Sequence, residues 1–236
     1  MVEFGEDVEI TYVMGGLARE FGDPSRLVMS WLEDAARSRM PVDPRIWAGH
    51  SPRSSYPACI AVRAAADQGR AAAERLLRSL REGFMCHRRK LDGPDALVEE
   101  ARGAGLDTAR FRIDLESNAI LEAFGADLEE TRALDAPGLP VLRFVSGDGE
   151  CRVGGDDPYE AWREAALAAG AEPSSDPPPD VAGALGRFGR MATAELEAVC
   201  DLPGPRAGAE AWRLASEWRV TRVPVLFGEL WEAAHR

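Results

Sequence analysis

The sequence predicts an α/β domain built around a long helical block, followed by a small, mainly helical C-terminal unit. Three observations predict it. Val8–Val13 alternates apolar and polar residues in the manner of a strand, and a long stretch of helical periodicity follows it. Leu139–Val153 then changes period and reads as a tight antiparallel hairpin. Ser174-Ser175-Asp176-Pro177-Pro178-Pro179-Asp180 is a linker by composition. The expected organisation is a main domain over 1–171, a linker over 172–180 and a separate unit over 181–236.

The elements follow in order. Val8-Glu9-Ile10-Thr11-Tyr12-Val13 is the expected first strand, ended by Met14-Gly15-Gly16. Asp23-Pro24 opens a helix, with Asp23 as the cap and proline at the first position. Its stripe is Leu27, Val28, Trp31, Leu32 and Ala35, and it stops before Pro41. Pro41–Pro57 is read as an ordered connection without helix, because it carries four prolines. Helices are expected from Ala58, over Ala71–Met85, from Pro94 to the Gly103/Gly105 stop, and over Thr108–Asp135.

Leu139–Val145 is a strand, Ser146-Gly147-Asp148-Gly149 its turn, and Glu150–Val153 the returning strand. A helix over Pro158–Ala171 closes the domain. In the C-terminal unit, helices are expected over Ala192–Cys200 and around Ala211–Ala215, with a strand-like run from Val220 to Phe227. Helix–turn–helix spacing is allowed there. Yet Arg187–Arg236 holds seven Arg against seven Asp or Glu, which offers no basic face. A docked appendage is the expectation, with Trp212, Trp218 and Trp231 supplying the contact.

Charge and cysteine usage bound the function. Net charge is −12 over 236 residues, so a phosphate backbone is repelled and nucleic acid is not an expected partner. No run reaches membrane-spanning length and no secretory leader is legible, so no membrane partner is expected and the chain is read as cytoplasmic. Cys59, Cys86, Cys151 and Cys200 are scattered without a Cys-x-x-Cys pair, and His50, His87 and His235 are the histidines. This pattern implies neither a disulfide framework nor a metal site. Gly15-Gly16 lacks the context of a phosphate loop and reads as a turn. Ser54 and Ser55 lack a nucleophile context and read as caps. His87-Arg88-Arg89-Lys90 reads as a cluster that complements a helix C-terminus.

Several segments together resemble the DsbA-like thioredoxin-fold family, in particular its FrnE-type branch of dithiol–disulfide oxidoreductases and isomerases. They are Tyr12–Leu17, Pro41–Trp47, Ser54–Cys59, Gly105-Leu106-Asp107 and Gly138–Val141. The resemblance implies a thioredoxin-like fold with a helical insertion. It also implies a cis-proline at Pro140, which with Leu139 would present backbone to an extended substrate. The family's dithiol heads a helix that precedes the strand matching Val8–Val13. In this chain that segment is missing from the recorded start. So no catalytic residue is assigned, no cofactor is expected, and the chain as given is expected to be inactive in dithiol exchange. Cys59 matches a cysteine of the insertion and reads as a small buried apolar group.

The missing strand would leave Val8–Val13 and Val141–Val145 with unpaired edges. Those strands would pair directly, or another segment would fill the gap, or the start would lie upstream of Met1. An upstream start is the simplest of these, and a degenerate non-redox descendant is its alternative. An open edge also leaves homo-oligomer formation as an expectation. The function is read first as a thiol–disulfide oxidoreductase relative acting on protein or peptide thiols. The second reading is a non-catalytic adaptor that uses the thioredoxin groove or the Trp-rich C-terminal unit to hold a protein partner. A third is a relative of glutathione-dependent isomerases.

Overall fold

The computed structural model describes residues 2–5, 7–49, 51–136, 138–147 and 149–234. Asp148 of the expected hairpin turn, and His50 and His235, lie outside the described residues.

Residues 8–16 run along the helical core without joining a sheet. The expected strand at Val8–Val13 is therefore corrected. Its alternation is real: Val8, Ile10 and Tyr12 are half-buried while Glu9, Thr11 and Val13 are exposed. Tyr12 and Met14 pack on the helices. A period of two reports burial on one side; a strand also needs a ladder partner, and among the described residues none lies alongside.

α1 (Pro24–Ser38) starts as the sequence requires, with the Asp23 carboxylate accepting from the Ser25 N–H at 2.9 Å. The proline-rich connection is not wholly irregular. Asp43 caps a 3₁₀ turn over Pro44–Ala48, where Pro44 occupies a position that needs no donor. α2 (Tyr56–Ala66) begins two residues earlier than expected. α3 (Arg70–Met85), α4 (Pro94–Gly103), α5 (Thr108–Leu115) and α6 (Asn118–Ala133) complete the helical block. Its core is an Ala/Leu interior in which α2 lies against α3, with Leu76, Ala61, Ala64 and Phe111 fully buried. Small residues on α2 let the two helices approach closely.

β1 (Val141–Ser146) and β2 (Gly149–Gly154) form the expected antiparallel hairpin, with Leu142 opposite Val153 and Phe144 opposite Cys151. α7 (Tyr159–Ala168) covers it, and the Trp162 indole N–H donates to the Gly154 carbonyl at 3.0 Å.

The C-terminal unit has more sheet than expected. α8 (Val181–Phe188), which periodicity alone did not reveal, is capped by the Asp180 carboxylate on the Gly183 N–H at 2.6 Å. β3 (Met191–Ala192), α9 (Thr193–Val199), α10 (Pro205–Ser216), β4 (Val220–Pro224) and β5 (Glu229–Ala233) follow. The sheet order is β3-β5-β4, all antiparallel. The two helices α9 and α10 are thus followed by a β-hairpin that pairs back on the short β3. The unit has its own core of Leu185, Leu196, Leu214, Val220 and Trp231.

The unit does dock on the helical block, but its tryptophans do not make the contact. Trp231 is fully buried inside the unit, while Trp212 and Trp218 are 53% and 89% exposed. The hairpin loop after β4, an apolar cluster and several ion pairs make it instead. Val42 and Phe227 exchange backbone hydrogen bonds at 3.0 and 3.1 Å. Cys86, Ala192 and Leu230 form a joint apolar cluster with Met40, Met85, Val223 and Val225.

Candidate functional site

The Leu139–Pro140 peptide is cis, as expected. Two neighbours hold this loop. The Gly155 N–H donates to the Pro140 carbonyl at 2.8 Å, which extends the hairpin by one bond. Gly155 has no room for a side chain, because a Cβ there would run into the Pro140 ring. On the other side, a Cβ on Gly15 would lie 2.7 Å from Cδ1 of Leu139 and 3.2 Å from Cγ2 of Thr131. So the Met14-Gly15-Gly16 turn packs directly on the proline loop. Leu139 itself stays 44% exposed.

Beneath the turn lies a polar cluster that sequence reasoning missed. Asp127 on α6 is buried and accepts the Met14 N–H at 3.1 Å. Arg63 on α2 stands 3.5 Å from the same carboxylate oxygen. Burial pushes the Asp127 carboxyl above its ordinary range, and the Met14 N–H and Arg63 pull the other way. Burial raises the Cys59 thiol, and the neighbouring Gly16 backbone pulls the other way. Cys59 is thus a buried group beneath the turn, which fits its reading as a structural side chain.

None of the four cysteines is in a disulfide. Burial raises Cys200, and raises Cys86 to about 11, so these are thiols and not thiolates at neutral pH. Cys151 is exposed on β2. No disulfide-forming pair of cysteines is present. Among the described residues, no group of three or more His, Cys, Asp or Glu is arranged to hold a metal ion. Among them too, no helix is long and apolar enough to cross a membrane.

The remaining candidates have structural roles. Ser55 Oγ accepts the Ala18 N–H at 2.9 Å, and Ser54 Oγ accepts the Tyr56 N–H at 3.1 Å. Ser54 takes the first N–H of α2, while Ser55, at the N-cap position, makes no side-chain cap bond and ties the helix to the preceding turn. In the basic cluster, Arg88 lies 3.4 Å from Asp43 and Arg89 pairs with buried Glu100. These cations meet carboxylates rather than a helix end. Two surface clefts lie away from the proline loop. One is lined by Phe21, Pro24, Trp47 and Pro52, the other by Leu32, Ala36, Met40 and Phe227.

A family model described as Thioredoxin matches residues 1–163. Three similar proteins carry the name ClpXP adapter protein SpxH. The one from Halalkalibacterium halodurans is 27% identical over 98% of this chain and 80% of its own length. The one from Shouchella clausii is 30% identical over 86% of this chain and 68% of its own. The one from Bacillus subtilis is 28% identical over 88% and 71%. A solved Nitrosomonas europaea structure named as a "putative protein disulfide isomerase" aligns with a TM-score of 0.54 at 16% identity. It covers 61% of this chain and 72% of that one, and so speaks to the fold alone. The mixed α/β thioredoxin-like topology with its helical insertion is thereby established. The expected oxidoreductase and disulfide-isomerase character, drawn from the DsbA-like and FrnE-type resemblance, is corrected. The similar proteins are named as adapters, and no pair of cysteines here forms a disulfide.

Proposed function

The chain belongs to the thioredoxin family, and we propose from its likeness to the SpxH proteins that it is a non-catalytic adapter that holds a protein for ClpXP. The observation that carries this reading is the packed loop at Leu139–Pro140, in a chain whose four cysteines are all free. Gly15 and Gly155 crowd it from both sides, yet Leu139 remains in solvent. A redox enzyme needs a reactive thiolate facing such a loop. A binding protein needs only the shape, and fixed backbone lowers the cost of ordering on association. In this proposal Leu139 and Pro140 contact an extended protein segment. The exposed Trp212 and Trp218 of the C-terminal unit offer a second contact, since aromatic residues dominate association hot spots.

The test is direct binding. The purified chain titrated against purified ClpX is expected to give a Kd of about 10 µM or tighter, within the range of specific transient complexes. No binding at about 100 µM overturns the reading. If Leu139→Ala or Trp218→Ala leaves the affinity unchanged, the corresponding contact is not part of the ClpX surface.

A further inference from the structure

Where the C-terminal unit meets α3, five charged side chains from the two sides form one network. Arg78 on α3 donates Nη1 and Nη2 to the two carboxylate oxygens of Glu195 on α9, at 2.5 and 2.9 Å. Its Nη2 also donates to the Arg190 carbonyl at 2.9 Å, and its Nε to Glu82 at 2.6 Å. Arg190, from the loop before β3, reaches back to Glu82 at 3.2 Å and holds Glu232 on β5 at 2.9 Å. Each arginine therefore bridges the two sides. Beside the network the junction holds a small joint apolar cluster, the Val42–Phe227 backbone pair and an Arg39–Glu197 ion pair at 2.6 Å, and the chain entering the unit is a Ser/Pro-rich linker. The unit's own core closes without help from α3.

From these observations we infer that the C-terminal unit is an electrostatically latched arm, which swings off the helical block when Arg78 and Arg190 lose their carboxylates. Opening uncovers Met40, Met85, Val223 and Val225 while both cores stay intact. Arg78 and Arg190 keep 37% and 32% of their side chains in solvent, so dissolved ions reach them. Bidentate and networked pairs contribute more than isolated surface pairs, and their attraction is screened by salt. The inference does not depend on which partner the chain binds.

The native thiols report on the latch without labels added by mutation. Cys86 is buried at the junction of the two sides, where its Sγ donates to the Pro41 carbonyl at 3.3 Å. Cys59 and Cys200 are buried in the interior of either side, and Cys151 is exposed. The full chain is pulsed with N-ethylmaleimide and each cysteine is followed by peptide mass spectrometry. Rates are normalised to Cys151. Raising KCl from 50 mM to about 1 M, where the screening length falls to about 3 Å, is expected to speed Cys86 labelling about tenfold. Cys59 and Cys200 are expected to keep their rates. Arg190→Ala and Glu82→Gln are expected to give the same selective gain at low salt. An unchanged Cys86 rate in the wild-type salt series overturns the latch, and that arm needs no variant. A rise of all three buried thiols together also overturns it, because the motion would then be global unfolding.

Discussion

Met14 donates its backbone N–H to the Oδ2 of Asp127 at 3.1 Å, so a residue of the N-terminal segment is fixed to the middle of α6. That single bond sets where Gly15 meets Leu139, because Gly15 follows Met14 directly. Asp127→Ala leaves the Met14 N–H unsatisfied and Arg63 without its carboxylate. The expected cost is about 1–3 kcal/mol in urea unfolding, the range for a buried donor left without a partner. Asp127→Asn keeps an acceptor and is expected to cost less. Equal stability of the alanine variant and the parent would remove the pinning role.

Asp43 has the opposite electrostatic character. The Arg45 side chain holds its carboxyl below the ordinary range, with Arg88 adding to the effect and burial opposing it. A depressed carboxylate contributes stability above its unfolded pKa and loses it as pH falls through the folded value. Asp43→Asn is therefore expected to cost about 1–3 kcal/mol at pH 7. The gap to the parent should shrink as pH drops below the normal carboxylate range. For Asp127, whose carboxyl is raised, stability should fall as pH climbs from the ordinary carboxylate range to the raised value. Unfolding curves from pH 2 to 7 check both signs, and a constant gap for Asp43→Asn would contradict the first.

Local chemistry made most helices legible. Asp23-Pro24 announces α1, and Gly103 with Gly105 ends α4. The hairpin over Val141–Gly154 was visible because its alternation and turn residues agree. What the sequence hid depends on distant partners. Val8–Val13 has a strand's pattern but no ladder. Asp127 looks like any of the acidic residues of α6 until Met14 is seen above it. α8 is short and contains Gly183 and Gly186, which masked its period. Trp231 reads from sequence as part of a docking surface, because an aromatic residue's burial depends on its partners, here Leu196, Leu214 and Val220. The proline loop was legible only through resemblance, since Leu139-Pro140 carries no local signal of its surroundings.

Dithiol exchange gives a third check. The parent chain is expected to show no insulin reduction with dithiothreitol above the uncatalysed background. Cys59, Cys86 and Cys200 are buried with raised pKa values, and low thiolate content suppresses attack on a disulfide. Cys151→Ser, which removes the exposed thiol, is expected to leave that background unchanged. Turnover comparable to an ordinary thioredoxin-like enzyme would overturn the adapter proposal at its base.

The tryptophans of the C-terminal unit separate stability from binding. Trp231 is fully buried, its indole N–H donates to Thr193 Oγ1 at 2.9 Å, and its ring meets Trp212 edge-on at 5.3 Å. Trp231→Ala is expected to destabilise by about 3–5 kcal/mol, the cost of a large core cavity. Trp218 is 89% exposed, so Trp218→Ala is expected to change stability by less than about 0.5 kcal/mol. If the exposed tryptophan holds a partner, the same variant should weaken ClpX binding by about tenfold or more, the loss expected for a hot spot. Thermal melts and titrations on the two variants give the full pattern. A stable Trp231→Ala would contradict the burial assignment. Unchanged affinity in Trp218→Ala would place the partner's contact elsewhere on the chain.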